Sequence, residues 1–208
     1  NYTVTQPTDR KSDVKGKSVA LGGRRIIKKK NDGNANATLH GGSLDGVIGL
    51  EDVTFSGQSG AFADKNAGTG KAVTVSGITL GGTDAGNYTV TQPTGLTADI
   101  SAKALTVTGM TANNKTYDGG TVATLSGGSL DGVIGLETVT FSGQTGTFAD
   151  KNVGNGKTVS VSGITLGGTD AGNYTVTQPT GLTADINANA LTAAAMPAHN
   201  PTSAGDTV

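Results

Sequence analysis

Short hydrophobic runs alternate with polar residues along much of the chain. Leu105 and Val107 alternate with threonines, and Val139 and Phe141 alternate with threonines and a serine. A period of two is typical of a β-strand that buries one face and exposes the other. Glycine, Asn-Gly and Asp-Gly lie between the runs, which is typical of tight turns. The pattern therefore predicts an all-β protein.

The stretch from residue 104 to residue 187 contains about eight such runs. They lie at 105–107, 122–125, 138–142, 145–148, 159–161, 164–166, 174–176 and 182–186. Glycines interrupt residues 130–136, which predicts a turn or a single helical turn there. Residues 150–157 predict a loop, because Asn155-Gly156 is a turn signal.

One long segment of the chain occurs twice. Residues 41–100 return as residues 127–186 with seven substitutions in sixty positions, at an offset of 86 residues. The octet NYTVTQPT occurs three times, beginning at Asn1, Asn87 and Asn173. Because this period exceeds that of solenoid coils, it predicts a string of small folded domains. We expect the chain to be a window cut from a longer array.

The predicted fold is a tandem series of small antiparallel β-sandwich-like modules of about 86 residues, in an elongated array. A β-grasp-like variant is the alternative. Residues 1–17 are the expected end of a preceding repeat, which diverges after residue 8. Residues 18–103 form the first predicted module and residues 104–187 the second. Residues 188–208 are the expected truncated start of a third.

Composition narrows the class of protein. The chain of 208 residues has 34 glycines, no cysteine, no tryptophan, four tyrosines and four phenylalanines. So few large apolar side chains favour several thin cores over a single thick one. The absence of cysteine excludes disulfides and thiolate metal ligands. No stretch has the roughly 20 apolar residues of a transmembrane helix, so we expect no membrane insertion by this segment.

Charge is unevenly distributed, although the formal net charge is −1. Residues 1–43 carry nine Lys/Arg against three Asp, whereas residues 44–208 carry six Lys against thirteen Asp/Glu. The acidic bulk predicts no general affinity for nucleic acid. The basic cluster consists of Arg24, Arg25, Lys28, Lys29 and Lys30. It could bind phosphate, glycan or nucleic acid, but it lacks aromatics for base stacking, and we favour a solvated or atypical edge strand.

The segment ALTVTGMTANNKTYDGGTVATLSGGSLDGVIGLETVTFSG, with GKTVSVSGITLGGTDAGNYTV and LTADI downstream, closely resembles the YDG repeats of large bacterial exported adhesins. Those adhesins are filamentous-haemagglutinin-like, and many use two-partner secretion. The name-giving triplet is Tyr117-Asp118-Gly119. The resemblance covers nearly the whole chain. It implies stalk or spacer units outside the cell, sometimes with a part in adhesion, and it implies no catalytic residues.

Two stretches depart from this pattern. Residues 9–30 read DRKSDVKGKSVALGGRRIIKKK, where the offset predicts a sequence like that of residues 95–116. Asn31 then replaces the tyrosine of the triplet. Residues 192–204 depart as well, so only residues 104–187 carry the family pattern intact.

Four acidic residues recur at equivalent loop positions and are candidate calcium ligands: Asp64, Asp84, Asp150 and Asp170. Calcium takes six to eight oxygen ligands. No segment has the spacing of an EF-hand loop, and aspartate in GGTDAGNY and ADKN also suits Asx turns. We therefore expect no cofactor, with a structural calcium ion as the alternative.

No arrangement of residues predicts catalysis. His40 and His199 are the only histidines, and they lie at non-equivalent positions. Glycine pairs such as Gly68 and Gly70 lack the strand–helix context of a phosphate loop, and we interpret them as turn and bulge positions. The sequence therefore predicts that the chain is not an enzyme.

The scarce aromatic residues are expected to be structural anchors. Tyr117 would bury much of the area available to a core this poor in aromatics, and Asp118-Gly119 would supply a tight turn. The other expected anchors recur in both copies: Tyr88, Tyr174, Phe55, Phe141, Phe62 and Phe148. Burial of the tyrosines would favour a spacer, whereas an exposed platform of rings would favour a binding surface.

Two functions are open at this point. In the first, the modules are a structural stalk or spacer of a cell-surface or secreted adhesin, and they project an adhesive region or form extracellular fibres. In the second, each module is a weak glycan- or protein-binding unit that acts by avidity. The expected partners are neighbouring repeats of the same chain. A host or matrix glycan or protein, or like chains in a fibre, are the alternatives for a further partner.

Overall fold

A computed structural model describes residues 17–22, 25–26 and 28–194 of the chain, with residues 17–26 described through their backbone only. Residues 1–16 and 195–208, which hold most of the two expected partial repeats and His199, lie outside the described residues, as does Arg24. No helix in the described part of the chain has the length and apolarity needed to cross a membrane.

The first module consists of short strands and one 3-10 turn. The strands are β1 (Lys17–Gly22), β2 (Arg25–Ile26), β3 (Lys29–Lys30), β4 (Asn36–Ala37), β5 (Leu39–His40), β6 (Ser43–Asp45), β7 (Thr54–Ser56), β8 (Ser59–Phe62), β9 (Gly68–Ser76), β10 (Thr79–Gly81), β11 (Tyr88–Thr91) and β12 (Leu96–Ser101). The 3-10 turn, Ala85–Asn87, directly precedes β11.

The second module repeats this series with fewer interruptions. Its strands are β13 (Lys103–Ala112), β14 (Lys115–Thr116), β15 (Val122–Ala123), β16 (Leu125–Asp131), β17 (Thr140–Ser142), β18 (Thr145–Phe148), β19 (Gly154–Ser162), β20 (Thr165–Gly167), β21 (Tyr174–Thr177) and β22 (Leu182–Asn187). Its 3-10 turn is Ala171–Asn173. The all-β class and the tandem modules predicted from the sequence are confirmed.

Each module contains the same three sheets. In the second module these are a five-stranded sheet of order β14-β22-β19-β18-β15, a three-stranded sheet of order β16-β13-β21, and the ribbon β17-β20. The first module has the equivalent orders β3-β12-β9-β8-β4, β11-β1-β6 and β10-β7, plus the separate pair β2-β5. Because each of these sheets takes its strands from one module only, the modules are two separate β domains.

The sheets are mixed, whereas the sequence predicted small antiparallel sandwich-like modules with a β-grasp-like variant as the alternative. In the second module β13 pairs with β21 in parallel, with Lys103 opposite Tyr174, and β14 pairs with β22 in parallel, with Lys115 opposite Ile186. The first module has the same two parallel pairs. Parallel neighbours need a long connection, and period-two alternation identifies a strand's buried face without identifying its neighbour.

Two local predictions for the second module were wrong. Strand β16 extends to Asp131 into the stretch predicted as a turn, because its residues pair with the long strand β13. Strand β19 begins at Gly154, inside the predicted loop. The pairing register between β19 and β22 shifts between Gly154 and Lys157, so the Asn-Gly signal marks a bulge inside a strand.

The atypical basic segment still forms strands. Strands β1 and β2 occupy the positions that β13 occupies in the second module, and β1 pairs with β6 and β11 as β13 pairs with β16 and β21. Strand β3, Lys29–Lys30, lies at the edge of the five-stranded sheet. The edge-strand interpretation of the lysines is therefore confirmed for this pair.

The core of the second module is thin and divided into two clusters. The first contains Ala123, Phe148, Val159, Ala184 and Ile186, and the second contains Val107, Met110, Val161 and Ile164. Strand β19 contributes to both clusters, because Val159 and Val161 point to the same face two residues apart. The expectation of small cores, made from the scarcity of large apolar residues, is confirmed by this division.

Candidate functional site at the joint between modules

A buried tyrosine–glutamate pair lies in the second module, on the side that contacts the first module. Tyr174, at the first position of β21, is 5% exposed, and its hydroxyl donates to Oε2 of Glu137 at 2.5 Å. The backbone N–H of Ile134 donates to the same hydroxyl at 3.0 Å. Burial raises the pKa of Tyr174, and the hydrogen bond to the Glu137 carboxylate raises it further. The phenol therefore stays a neutral donor at physiological pH.

A lysine from the first module completes this pair. Lys65 Nζ forms an ion pair with Oε1 of Glu137, whose side chain is only 6% exposed. The hydrogen bond to Glu137 is the main cause of a raised pKa at Lys65. Both oxygens of a nearly buried carboxylate thus have charged or polar partners, which its burial requires. One of these partners belongs to the neighbouring module, so Glu137 joins the two modules.

Asn173 forms a second cluster of bonds across the joint. Its side chain accepts a hydrogen bond from the backbone N–H of Ala67 at 2.9 Å and donates one to Oδ1 of Asn66 at 3.2 Å. Its backbone carbonyl accepts from Nδ2 of Asn31 at 3.4 Å. Asn31 and Asn173 are the two buried polar residues of the described chain, 3% and 4% exposed. Their burial is satisfied by bonds between modules.

The backbone of the first module at Gly33 also lies close to the second module. A Cβ atom added at Gly33 would lie 2.7 Å from Cγ2 of Ile134. Gly33 has φ of +82°, and its N–H donates to Oδ1 of Asn31 at 2.9 Å, which closes an Asx turn. This turn corresponds to the Tyr117-Asp118-Gly119 triplet of the second module. The triplet position is therefore a contact point between modules.

The first module carries the same tyrosine–glutamate pair. Tyr88 is 7% exposed, its hydroxyl donates to Oε2 of Glu51, and the N–H of Ile48 donates to it at 3.1 Å. The hydrogen bond to Glu51 is the main cause of a raised pKa at Tyr88. Because both copies hold the pair, it is a property of each module, and only the lysine partner depends on the joint.

The second module's triplet builds a tight turn, as predicted. Asp118 accepts from the N–H of Gly120 at 2.9 Å and forms an ion pair with Lys115 at 2.7 Å, while Gly119 has φ of +83°. Tyr117 is half-buried and packs against the cluster around Phe148. The triplet is thus a turn attached to the core through one tyrosine.

The YDG domain family matches the chain twice, over residues 15–95 and 101–181. The chain belongs to the YDG domain family. No curated protein and no solved structure matches the chain.

The acidic residues of the two YDG modules have their own partners. Asp64 and Asp150 accept from Lys71 and Lys157 at 2.6 Å and 2.7 Å, and these hydrogen bonds are the main cause of their lowered pKa values. Asp84 accepts from the N–H of Asp52 at 2.9 Å, and the equivalent Asp170 from that of Thr138 at 2.9 Å. The described residues contain no group of three or more His, Cys, Asp or Glu side chains that could hold a metal ion.

The four phenylalanines predicted to be structural anchors differ in how deeply their side chains are buried. Phe62 and Phe148 are 4% and 2% exposed and belong to cores, whereas Phe55 and Phe141 are half-buried. Phe141 borders an open groove of about 450 Å³ with Leu130, Val133 and Val139. The first module has the equivalent groove, about 440 Å³ in volume, beside Phe55.

Two lysines of the basic cluster form ion pairs with aspartates of the first module. Lys28 forms an ion pair with Asp99 at 3.1 Å, and Lys29 forms one with Asp32 at 2.8 Å. His40 is exposed at the end of β5, as expected of a lone histidine on a polar segment. Gly68 begins β9 opposite a register shift in β12, in agreement with the interpretation as a bulge position.

The residues of the joint were not predicted from the sequence. Lys65, Glu137 and Asn173 recur at the same places in both copies, as Lys151, Glu51 and Asn87. The recurrence of these polar residues at an 86-residue offset is the sequence feature that could have marked them as candidate functional residues. It could not identify a contact, because the two partners of each pair lie 72 or more residues apart in the chain.

Proposed function

We propose that this chain is a structural, non-enzymatic stalk or spacer segment of a bacterial cell-surface or secreted adhesin, located outside the cell. The adhesin context rests on the resemblance of the sequence to exported YDG repeats. In this role the partners of each module are its neighbours along the chain. The modules hold an adhesive region away from the cell or form part of an extracellular fibre.

The joint between the modules is the main structural support for this proposal. A spacer must transmit position from one module to the next, which a flexible linker does poorly. Here the connection between β12 and β13 is a single residue, Ala102, and Lys65, Asn66 and Ala67 bond to the neighbouring module. These bonds restrict the angle between modules and favour a stiff array.

The placement of the aromatic residues also supports a spacer. Tyr88 and Tyr174 are buried with their hydroxyls bonded to glutamates, so their rings are not available as a stacking surface for a glycan. Tyr117 is half-buried against the core. A binding module would be expected to present such rings to solvent.

The test varies the number of modules in the parent protein. Copies of residues 103–187 would be added in tandem, and the distance of a tagged tip from the cell surface measured by immuno-electron microscopy. A spacer predicts an equal increment of distance for each added module, with unchanged affinity of the tip for its target. The matched control is a flexible Gly/Ser insert of equal length, which should extend the tip far less. Equal extension by both inserts would contradict the proposal.

A repeated binding module is the second candidate function. The apolar grooves beside Phe55 and Phe141 occupy equivalent positions, as a site repeated for avidity would. The same series of parent proteins tests this candidate. Affinity for a glycan or protein surface that rises steeply with module number, and falls on Phe141→Ala and Phe55→Ala, would favour binding. No dependence of affinity on module number would exclude it.

A further inference from the structure

A β-bulge on the surface of the second module places an asparagine directly before a glycine. The regular pairing of β19 with β22 is interrupted between Gly154 and Lys157. Two residues of β19, Asn155 and Gly156, therefore lie opposite the single residue Asp185 of β22. This is the one Asn-Gly pair in the whole sequence.

The surroundings of this pair leave it room to react. Asn155 and Gly156 are both exposed. Within the described residues the side chain of Asn155 has no hydrogen-bond partner, so its amide group can rotate. Gly156 has φ of +59°, and a Cβ atom added there would have no atom within 4 Å. The side-chain carbonyl carbon of Asn155 can therefore approach the backbone nitrogen of Gly156 without a steric barrier.

A carboxylate is already hydrogen-bonded to that backbone nitrogen. The N–H of Gly156 donates to Oδ1 of Asp185 at 2.7 Å. Asn114 holds Asp185 in place, because its Nδ2 donates to the second carboxylate oxygen at 3.2 Å and its Oδ1 accepts from the backbone N–H of Asp185 at 2.8 Å. An oriented acceptor within hydrogen-bond reach of a proton has the geometry of a general base.

We propose that Asn155 is a site of spontaneous deamidation in the folded protein, with Asp185 as the general base. Oδ1 of Asp185 takes the proton from the N–H of Gly156 while that nitrogen bonds to Cγ of Asn155. The Cγ–Nδ2 bond then breaks, and Nδ2 leaves as ammonia with the proton that Asp185 returns. The product is a succinimide ring that joins the side chain of Asn155 to the backbone.

Water from the solvent completes the reaction by opening the ring. Attack at Cγ gives aspartate at position 155, and attack at the backbone carbonyl carbon gives isoaspartate, in which the chain continues through the side chain. In both cases one water is consumed and one ammonia is released, so the amide becomes a carboxylate. No atom is oxidised or reduced.

The modification would change the sheet of the second module. A carboxylate at position 155 lies opposite that of Asp185, and like charges on facing strands are destabilising. Isoaspartate also lengthens the backbone of β19, and β19 supplies Val159 and Val161 to the two core clusters. The inference thus adds a slow covalent change to the structural role proposed above, and it does not depend on that role.

The first module contains the same bulge in an unreactive form. The N–H of Gly70 donates to Oδ1 of Asp99 at 2.9 Å, but the residue before this glycine is Thr69. Asp99 also forms an ion pair with Lys28 at 3.1 Å, and the ammonium group stabilises the carboxylate as an anion. The first module therefore lacks the amide, and its carboxylate is a weaker base.

The test follows the full chain during incubation at neutral pH, with peptide mass spectrometry for deamidation and a methyltransferase assay for isoaspartate. We expect Asn155 to deamidate several-fold faster in the folded chain than in an unstructured peptide of residues 150–160. The variant Asp185→Asn keeps a side-chain acceptor for Gly156 but removes the base, so it should slow the reaction several-fold.

The first module supplies a second measurement that leaves Asp185 intact. Thr69→Asn creates an Asn-Gly pair beside Asp99, and residue 69 should deamidate several-fold more slowly than Asn155 in the same chain. Adding Lys28→Ala removes the ion pair of Asp99 and should raise the rate at residue 69. Urea unfolding of each variant checks that both modules still fold.

Three results would overturn the inference. A rate at Asn155 no higher than that of the peptide would mean that the fold does not activate the site. An unchanged or faster rate in Asp185→Asn would mean that the hydrogen bond to Gly156 protects the amide. A rate at residue 69 that does not respond to Lys28→Ala would contradict the role of the carboxylate. The spacer function stands in each case, because it rests on the joint between modules.

Discussion

At the scale of the residue, lysines form ion pairs with aspartates in the loops of each YDG module. Lys157 pairs with Asp150, and Lys115 pairs with Asp118 while also donating to the backbone carbonyls of Gly120 and Val122. The lysine side chains are 14% and 16% exposed, so their ammonium groups need these partners. The aspartates considered as calcium ligands at positions 64 and 150 belong to this set of loop contacts.

The ion pairs predict how stability depends on pH. The hydrogen bond from Lys157 lowers the pKa of Asp150, and the one from Lys115 lowers that of Asp118. A carboxyl whose pKa is depressed on folding stabilises the fold above its unfolded pKa, near 3.9. That contribution is lost as the pH falls through the lower folded value. We therefore expect the free energy of unfolding, measured in urea, to decline below about pH 4.

The variant Asp150→Asn should flatten part of this acid decline, because the amide does not titrate. The matched control is Asp131→Asn, an exposed position whose carboxylate makes no ion pair within residues 28–194. It should leave the acid dependence nearly unchanged. Equal flattening by the two variants would show that the ion pair does not cause the decline.

At the scale of the element, a pair of glycines lets two strand connections approach each other. A Cβ atom at Gly163 would lie 2.6 Å from the carbonyl oxygen of Gly143, and one at Gly143 would lie 2.7 Å from that of Gly163. These glycines separate β17 from β18 and β19 from β20. Gly57 and Gly77 make the same approach in the first module. The two connections therefore pass close to each other where the chain crosses between the five-stranded sheet and the ribbon.

Gly163→Ala should destabilise the second module more than Gly156→Ala does. Both glycines have positive φ, +79° and +59°, so both variants incur a backbone cost of about 1–2 kcal/mol. Nothing lies within 4 Å of a Cβ at Gly156, whereas Gly163 meets a backbone carbonyl. The steric contact should add about 1–3 kcal/mol in urea unfolding. Equal costs for the two variants would contradict the close approach.

At the scale of the whole molecule, near-identical modules become inequivalent through their neighbours. Asn173 and Asn87 share their local sequence, yet within the described residues only Asn173 has bonds to another module. Glu137 and Glu51 each bind a buried tyrosine, yet only Glu137 has a lysine partner among the described residues. The joint is thus a property of the array and not of either module alone.

Asn173→Ala should loosen the joint, whereas Asn87→Ala should not. The first substitution removes the acceptor of the Ala67 N–H and the donor to Asn66, and an unsatisfied buried group costs about 1–3 kcal/mol. NMR relaxation would detect the change as independent tumbling of the two modules. Equal relaxation behaviour of the two variants would mean that Asn173 does not hold the modules together.

The all-β class, the tandem modules and most strand positions follow from the pattern of the amino-acid sequence. Period-two alternation and glycine turns are local signals, so they can be recognised in the sequence. The strand predicted at residues 145–148, for example, has the same bounds as β18. Local pattern could not identify the parallel partner of β13, because β21 begins 71 residues after β13 does. Nor could it show that the Asn-Gly at 155–156 lies inside a strand, since that depends on pairing with β22.

The candidate site could not be identified without the three-dimensional arrangement of the two modules. The repeat showed Lys65, Glu137 and Asn173 as polar residues that recur, but it could not distinguish solvated positions from buried ones. Their roles depend on the first module lying against the second, which brings Lys65 to Glu137 and Ala67 to Asn173. Two copies with almost the same sequence thus differ in burial, because burial depends on what lies next to a residue in space.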